Sequence, residues 1–187
     1  MSYSENLLAI IEELTHDAKL IKDEELAKVS ELIQQTNRIF VAGAGRSGFA
    51  ARGFANRLMH LGYSSYFVGE PTTPSIQEGD LLIIGSGSGE TASLVAMAKK
   101  AVDQKAKLAT LTIFPSNTIG SLANASIKIP GVTAKVEEIG EKAASIQPKG
   151  SSFEQLSWLI YDSIIIELKK ITDQTDEQMF ARHANME

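Results

Sequence analysis

Ile83-Ile84-Gly85-Ser86-Gly87-Ser88-Gly89-Glu90-Thr91 is an apolar run that breaks into glycines and hydroxyls and then opens a helical pattern. Residues of these types in this order can hold a phosphate. Glycines let the backbone approach an anion closely, the N–H groups of a helix's first turn point at it, and Ser and Thr hydroxyls add donors without adding charge. An equivalent loop lies earlier, at Val41-Ala42-Gly43-Ala44-Gly45-Arg46-Ser47-Gly48, again between an apolar run and an apolar-periodic helix. Two such loops on one small sheet point to a phosphorylated small molecule as ligand.

The loop Gly43-Ala44-Gly45-Arg46-Ser47-Gly48 also fits G-x-G-x-x-G, and Glu70 stands near the distance expected for a ribose-binding acid, so a dinucleotide site is a rival reading. Against it stand the second loop, which a nicotinamide-binding unit does not need, and Arg46 and Ser47, which put a cation and a donor beside the anion. Neither loop has the Gly-Lys-Ser or Gly-Lys-Thr of a Walker A motif, and neither Ser86 nor Ser88 fits G-x-S-x-G. Ser151-Ser152-Phe153-Glu154 carries two competing readings. Ser151 and Glu154 have the spacing of a capping box, whereas a carboxylate at the start of a closing helix beside a Gly-Ser-Ser turn could serve as a general base. The helix dipole keeps such a carboxylate ionised but weakens it as a base, so burial would have to offset that effect. His16, His60 and His183 lie far apart with no ligand pattern linking them, so no metal site is expected. His16 reads as solvated and His60 as a packed histidine near a helix end. His183 sits in a polar cluster beside Met179-Phe180 that either frays or docks into a neighbour's site.

These residues need a scaffold that brings the loops together. From Glu5 to Lys22 apolar residues recur at helical spacing, and Leu26, Val29, Leu32 and Ile33 continue the pattern in a second helix with Asp23 as its expected N-cap. Beyond Asn37, five short β-branched runs alternate with helical stretches: 38–42, 65–68, 81–84, 108–113 and 127–129. Continuous apolar runs suit strands covered on both faces, and helices such as 49–61, ending at Gly62, suit right-handed crossovers. The pattern predicts a doubly wound α/β domain on a five-stranded parallel sheet. The segment from Pro130 to Gly150 is either helical in part or a functional loop. Residues 152–171 form a closing helix with so wide an apolar face that it should meet both the sheet and a partner subunit. The stretch 173–187 is a polar tail or a short docking helix.

With 187 residues, one domain (1–187) is expected, divided into N-terminal helices (1–36), an α/β core (37–172) and the tail. A net charge of -5 argues against general nucleic-acid binding. No apolar segment approaches the ~20 residues that span a bilayer, and Met1 to Asn6 lacks the basic region of a secretory signal, so a cytoplasmic protein without membrane contact is expected. The absence of cysteine excludes disulfides, thiolate metal ligands and a cysteine nucleophile.

Taken together, these motifs resemble the sugar isomerase (SIS) family, on its hexuloisomerase branch. The likeness covers nearly the whole chain. It rests on both glycine loops, on Arg57-Leu58-Met59-His60-Leu61-Gly62, on Thr72-Thr73-Pro74, on Gln147-Pro148-Lys149-Gly150-Ser151-Ser152-Phe153-Glu154-Gln155, and on Arg182-His183-Ala184-Asn185. Lys149 stands where an apolar residue is expected, and Pro71 interrupts a usual threonine run. The resemblance implies interconversion of D-arabino-hex-3-ulose 6-phosphate and fructose 6-phosphate in the ribulose monophosphate pathway of formaldehyde fixation, without metal or nucleotide. It implies Glu154 as the base. Ser47, Ser86, Ser88 and Thr91 would hold the phosphate with backbone N–H groups from Gly87, Gly89 and Glu90, and Arg46 would offset negative charge. His183, supplied by another subunit of a homotetramer, would shuttle protons. Another phosphosugar isomerase and a non-catalytic sugar-phosphate sensor are the alternatives.

Overall fold

A computed structural model describes residues 2–131 and 145–186. Five strands, β1 (Ile39–Gly43), β2 (Ser65–Phe67), β3 (Leu81–Gly85), β4 (Lys107–Thr112) and β5 (Ala125–Lys128), pair in parallel in the order β2-β1-β3-β4-β5. This is the expected doubly wound sheet, in the flavodoxin-like order. Its strands start and stop within two residues of the apolar runs.

Alternation along those runs explains why they are strands and not helices. Ile39, Val41, Leu81, Ile83, Ala109 and Leu111 point to one face of the sheet, and Phe40, Ala42, Leu82, Ile84 and Leu108 to the other. Both faces are covered, so the central strands are apolar on both, with Thr110 of β4 giving its buried hydroxyl to Ile84 O. The helices are α1 (Tyr3–Ala18), α2 (Asp23–Gln34), α3 (Gly45–His60), α4 (Ala92–Asp103), α5 (Thr118–Leu122), α6 (Ser151–Ile171) and α7 (Asp176–Phe180). The first face packs on α2, α3 and α6 through Val29, Ile33, Phe54, Leu58, Leu156, Ile160 and Ile164; the second packs on α4 and α5 through Leu94, Ala98, Ala101 and Ile119. Each buried Val, Leu, Ile or Phe among them contributes roughly 1.5–3 kcal/mol of transfer free energy.

One local expectation needs correction. Lys22, not Asp23, is the N-cap of α2, and it makes no side-chain cap; Asp23, Glu24 and Glu25 fill the first helical turn, where they meet the positive end of the dipole. The closing helix α6 buries Phe153, Leu156, Ile160, Ile164 and Leu168, but Trp158, Leu159 and Ile166 are exposed. Most of the stretch from Pro130 to Gly150 lies outside the described residues. The tail forms one turn, α7, started by a capping box in which the Thr175 hydroxyl accepts from Gln178 N–H and the Gln178 side chain accepts from Thr175 N–H. Among the described residues, no helix is long and apolar enough to cross a membrane.

Candidate active site

In a doubly wound sheet, ligands bind outside the carboxyl ends of the strands where the strand order reverses. Here that point lies between β1 and β3, which pair from Ile39 with Leu81 through Gly43 with Gly85. The loops that follow these two strands are the two glycine-rich motifs. They wall a cavity of about 270 Å³ that is closed on its third side by the start of α6. Ala44 to Ser47, Gly85 to Ser88, Thr91, Leu94, Ile113, Lys149, Gly150, Phe153 and Glu154 line it.

The loop after β3 is held from behind. Asn117 donates its side-chain N–H to Ser88 O at 2.8 Å, and Ile119 N–H donates to Gly89 O at 3.2 Å. Ser86 Oγ accepts from Gly89 N–H at 3.2 Å and Ser88 Oγ from Glu90 N–H at 3.3 Å. Ser86, Ser88 and Gly87 therefore present the cavity wall, and Thr91 stands at its edge as the N-cap of α4 without a side-chain cap bond. Gly89, at φ +65°, makes the turn that only glycine adopts readily, but neither it nor Glu90 lines the cavity. Glu90 instead turns its carboxylate to the start of α5, accepting from Thr118 N–H at 2.6 Å and Thr118 Oγ–H at 2.9 Å. These bonds to Thr118 hold its pKa below the usual carboxylate range.

The loop after β1 is built by close approach. A Cβ on Gly43 would fall 2.9 Å from Gly48 Cα, and one on Gly48 would fall 2.8 Å from Gly43 O, so the strand and the first turn of α3 meet backbone to backbone. That contact aims the N-terminus of α3 at the cavity, with Ser47 on its wall and Arg46 at its mouth. Glu70, the acid a dinucleotide would require, pairs with Arg52, whose guanidinium lies 4.0 Å from the centre of the Phe67 ring.

At α6 the capping-box reading fails. The N-cap is Gly150, at φ +94°, which shifts the helix start one residue back and makes Ser151 the first helical residue. Ser151 Oγ accepts from Arg46 Nη1 at 3.0 Å instead of from a helix N–H. Glu154 faces the cavity with Arg46 Nη1 2.8 Å from its Oε2. Burial pushes its pKa above the ordinary carboxylate value, and the nearby Arg46 charge only partly opposes this. A carboxylate so placed can serve as a general base.

The remaining candidates are elsewhere. His16 is exposed beside Asp17. His60 is buried at the far end of α3, where burial and then Arg57 depress its pKa and keep it neutral. His183 stacks on His60 with ring centres 5.1 Å apart. The 16-residue length of α3 puts it about 22 Å from the cavity of its own chain. Met179 packs against the core, but Phe180 is 77% exposed and stacks on His183, so Met179 alone anchors the tail through apolar burial. Arg182 supplies the second hold, donating to His60 O at 3.1 Å and Gln174 Oε1 at 2.9 Å. Among the described residues no cluster of His, Asp and Glu could bind a metal. Pro71 is exposed and outside the cavity wall, whereas Lys149 lines it.

Three contributions were hidden in the sequence. Phe153 and Ile113 add an apolar part to the cavity lining, packed against Gly87 of the hydroxyl loop. Ser151 binds the arginine. The hydroxyl of Tyr161, buried and stacked on Phe54, lies where a Cβ on Gly85 would meet it at 2.9 Å, so Gly85 must be glycine for α6 to pack beneath the loop.

Comparison with known proteins agrees with this geometry. Residues 32–147 match the SIS domain family. The chain is 43% identical over its full length to the full length of a Bacillus subtilis protein named 3-hexulose-6-phosphate isomerase. It is 37% identical to the protein of that name from Mycobacterium gastri, over 97% of this chain and 90% of the other. A crystal structure from Methanococcus jannaschii, for which a 3-hexulose-6-phosphate isomerase function was inferred, superposes with a TM-score of 0.78 at 34% identity over 98% of this chain and 96% of that one. By the order of its strands, the loops at its switch point and these likenesses, the chain belongs to the SIS domain family.

Proposed function

We propose that this protein is an isomerase that interconverts D-arabino-hex-3-ulose 6-phosphate and D-fructose 6-phosphate through an enediol. One observation carries the reading: the Glu154 carboxylate faces, across a single small cavity, a hydroxyl-lined loop at a helix N-terminus. That loop suits a phosphate that stays charged throughout the reaction, bound by Ser86, Ser88 and Thr91 with Ser47 added from the start of α3. Glu154 removes the C2 proton, electrons shift through an enediol between C2 and C3, and a proton returns at C3 while the oxygens exchange theirs. Arg46 offsets negative charge as the enediolate develops. The Bacillus and Mycobacterium relatives bear the name of the same reaction. Its place is then the ribulose monophosphate pathway of formaldehyde fixation.

A sensor needs the phosphate cradle but no base. Supplying the hexulose phosphate and coupling fructose 6-phosphate formation to a dehydrogenase separates the two: turnover abolished by Glu154→Gln supports the enzyme, and binding without turnover by the unaltered protein supports the sensor.

Self-association belongs to the same proposal. Trp158, Leu159 and Ile166 on α6 and Leu7, Leu8 and Ile11 on α1 are exposed apolar residues that a homotetramer would cover. His183 would then act as the proton shuttle in a neighbouring subunit's cavity. Deleting 178–187 should cost activity far more than melting temperature. Mixed oligomers of this deletion with Glu154→Gln subunits should regain part of the activity; no rescue in demonstrably mixed oligomers would place the whole reaction within one chain.

A further inference from the structure

Arg46 Nη1 makes two contacts at once, 3.0 Å from Ser151 Oγ and 2.8 Å from Glu154 Oε2. Only the first lies along an N–H direction. Glu154 Oε2 is buried and accepts no hydrogen bond among the described residues, so the guanidinium stabilises the carboxylate by charge without occupying its lone pair. Ser151 is itself 5% exposed, fixed as the first residue of α6 by the left-handed Gly150 before it.

We propose, resting on the reading of Glu154 as the base, that Ser151 is a positioning residue: its hydroxyl takes the Arg46 N–H and so keeps the arginine beside Glu154 while leaving Oε2 without a hydrogen bond, which preserves the proton affinity of the carboxylate. A hydrogen bond to an ionised carboxylate favours the charged form and lowers its proton affinity. A base needs enough positive charge nearby to stay ionised near neutral pH, and an unoccupied lone pair to accept a proton. Ser151 reconciles the two requirements by diverting the hydrogen bond. The charged groups facing Glu154 are Arg46 from α3 and Lys149 from the turn before α6. The loop after β3 adds only hydroxyls, since Glu90 is turned to Thr118.

The test is the pH profile of kcat/KM in Ser151→Ala. Without the hydroxyl, the Arg46 N–H swings to Glu154 Oε2. The acid limb should then move to lower pH by about one unit, the size of one hydrogen bond expressed as a pKa. Turnover should fall roughly 3- to 10-fold, following the weaker base, with KM little changed. Ser151→Thr, which keeps the hydroxyl, should retain the original limb, and Arg46→Gln, which removes the charge, should move it to higher pH. The substrate phosphate titrates identically for every variant, so the displacement between profiles is what counts. An acid limb in Ser151→Ala that stays in place or rises, in protein with normal circular dichroism, overturns the proposal, as does a Thr variant that behaves like Ala. Glu154→Gln separates this failure from that of the parent reading. If it turns over normally, the base assignment fails; if it is inactive while the Ser151→Ala limb stays fixed, only the role of Ser151 fails.

Discussion

The two glycine-rich loops look alike in sequence and are built on opposite principles. The loop after β1 is rigid because two glycines, Gly43 and Gly48, touch through bare backbone, and it delivers a charge, Arg46, to the mouth of the cavity. The loop after β3 is rigid because Asn117, Thr118 and Ile119 hold it from outside, and it delivers hydroxyls and no cation. On the function proposed above, the difference divides the labour: the first loop tunes the base through Arg46 and lends only Ser47 to the phosphate, while the second supplies the remaining phosphate hydroxyls, whose partner keeps a constant charge. Effects on turnover should therefore follow the first wall and Glu154, and effects on affinity the second.

The sharpest test of that division is Glu154→Gln, which should lower kcat by at least ~10²-fold while fructose 6-phosphate still binds. Stability should move the other way. The pKa of Glu154 is raised on folding, so the folded protein favours the protonated carboxyl, and ionising it costs stability as pH rises from the ordinary carboxylate value through the raised one. The neutral amide removes that cost, so at pH 7 the variant should melt no lower than the parent. A variant that melts lower yet turns over normally would make Glu154 a structural residue.

Next in size are Ser88→Ala and Thr91→Val, which should weaken fructose 6-phosphate binding by roughly 1.5–3 kcal/mol each, the worth of a bond to an ionised group, with kcat little altered. Titration calorimetry reads this directly. A fall in kcat at constant affinity would place reacting atoms, not phosphate, against this loop.

Gly48→Ala attacks the other wall. Its Cβ would press on the Gly43 carbonyl, which is strand backbone and cannot yield, so a loss of about 1–3 kcal/mol is expected, softened by alanine's better helix propensity. The melting temperature should drop by several degrees. An unchanged melting temperature would mean that the strand and helix do not need this contact to meet.

The strands were readable because both faces of the sheet are covered, which leaves uninterrupted apolar runs such as Leu81 to Ile84. The loop after β3 was readable as part of a site because glycine and hydroxyl at that spacing have few other uses after a strand, and it does line the cavity. What escaped depended on partners distant in sequence. Ser151 and Glu154 have capping-box spacing, and only Gly150 at φ +94° together with Arg46, 105 residues away, decides that they are not one. The five-residue α5 is too short to show a period, so the support it gives to Glu90 was invisible. The backbone N–H groups of Gly89 and Glu90 read as phosphate donors because they open a helix, yet in the fold they bond to the hydroxyls of Ser86 and Ser88 inside the loop. Nothing in the local pattern of the tail tells that Arg182 and Met179 hold it to its own chain, since their partners are His60 and the core.

The smallest expected effect comes from Glu90→Gln, and it sharpens the comparison by touching only the outer support of the phosphate loop. The carboxylate accepts two bonds from Thr118, and these hold its pKa below the ordinary value. A depressed carboxylate stabilises the folded state at pH values above its unfolded pKa, and that contribution disappears as pH falls through the folded one. The gap in melting temperature between the parent and Glu90→Gln should therefore be present at neutral pH and close on acidification below the usual carboxylate range. In catalysis the amide still accepts one bond from Thr118, so the loop loosens without losing a phosphate donor. KM should rise by less than in Ser88→Ala or Thr91→Val, and kcat should hold. A KM rise matching that of Thr91→Val would mean that the clamp on α5 governs phosphate affinity as strongly as the hydroxyls, and the second wall would then owe its function to support from outside and not to the donors it presents.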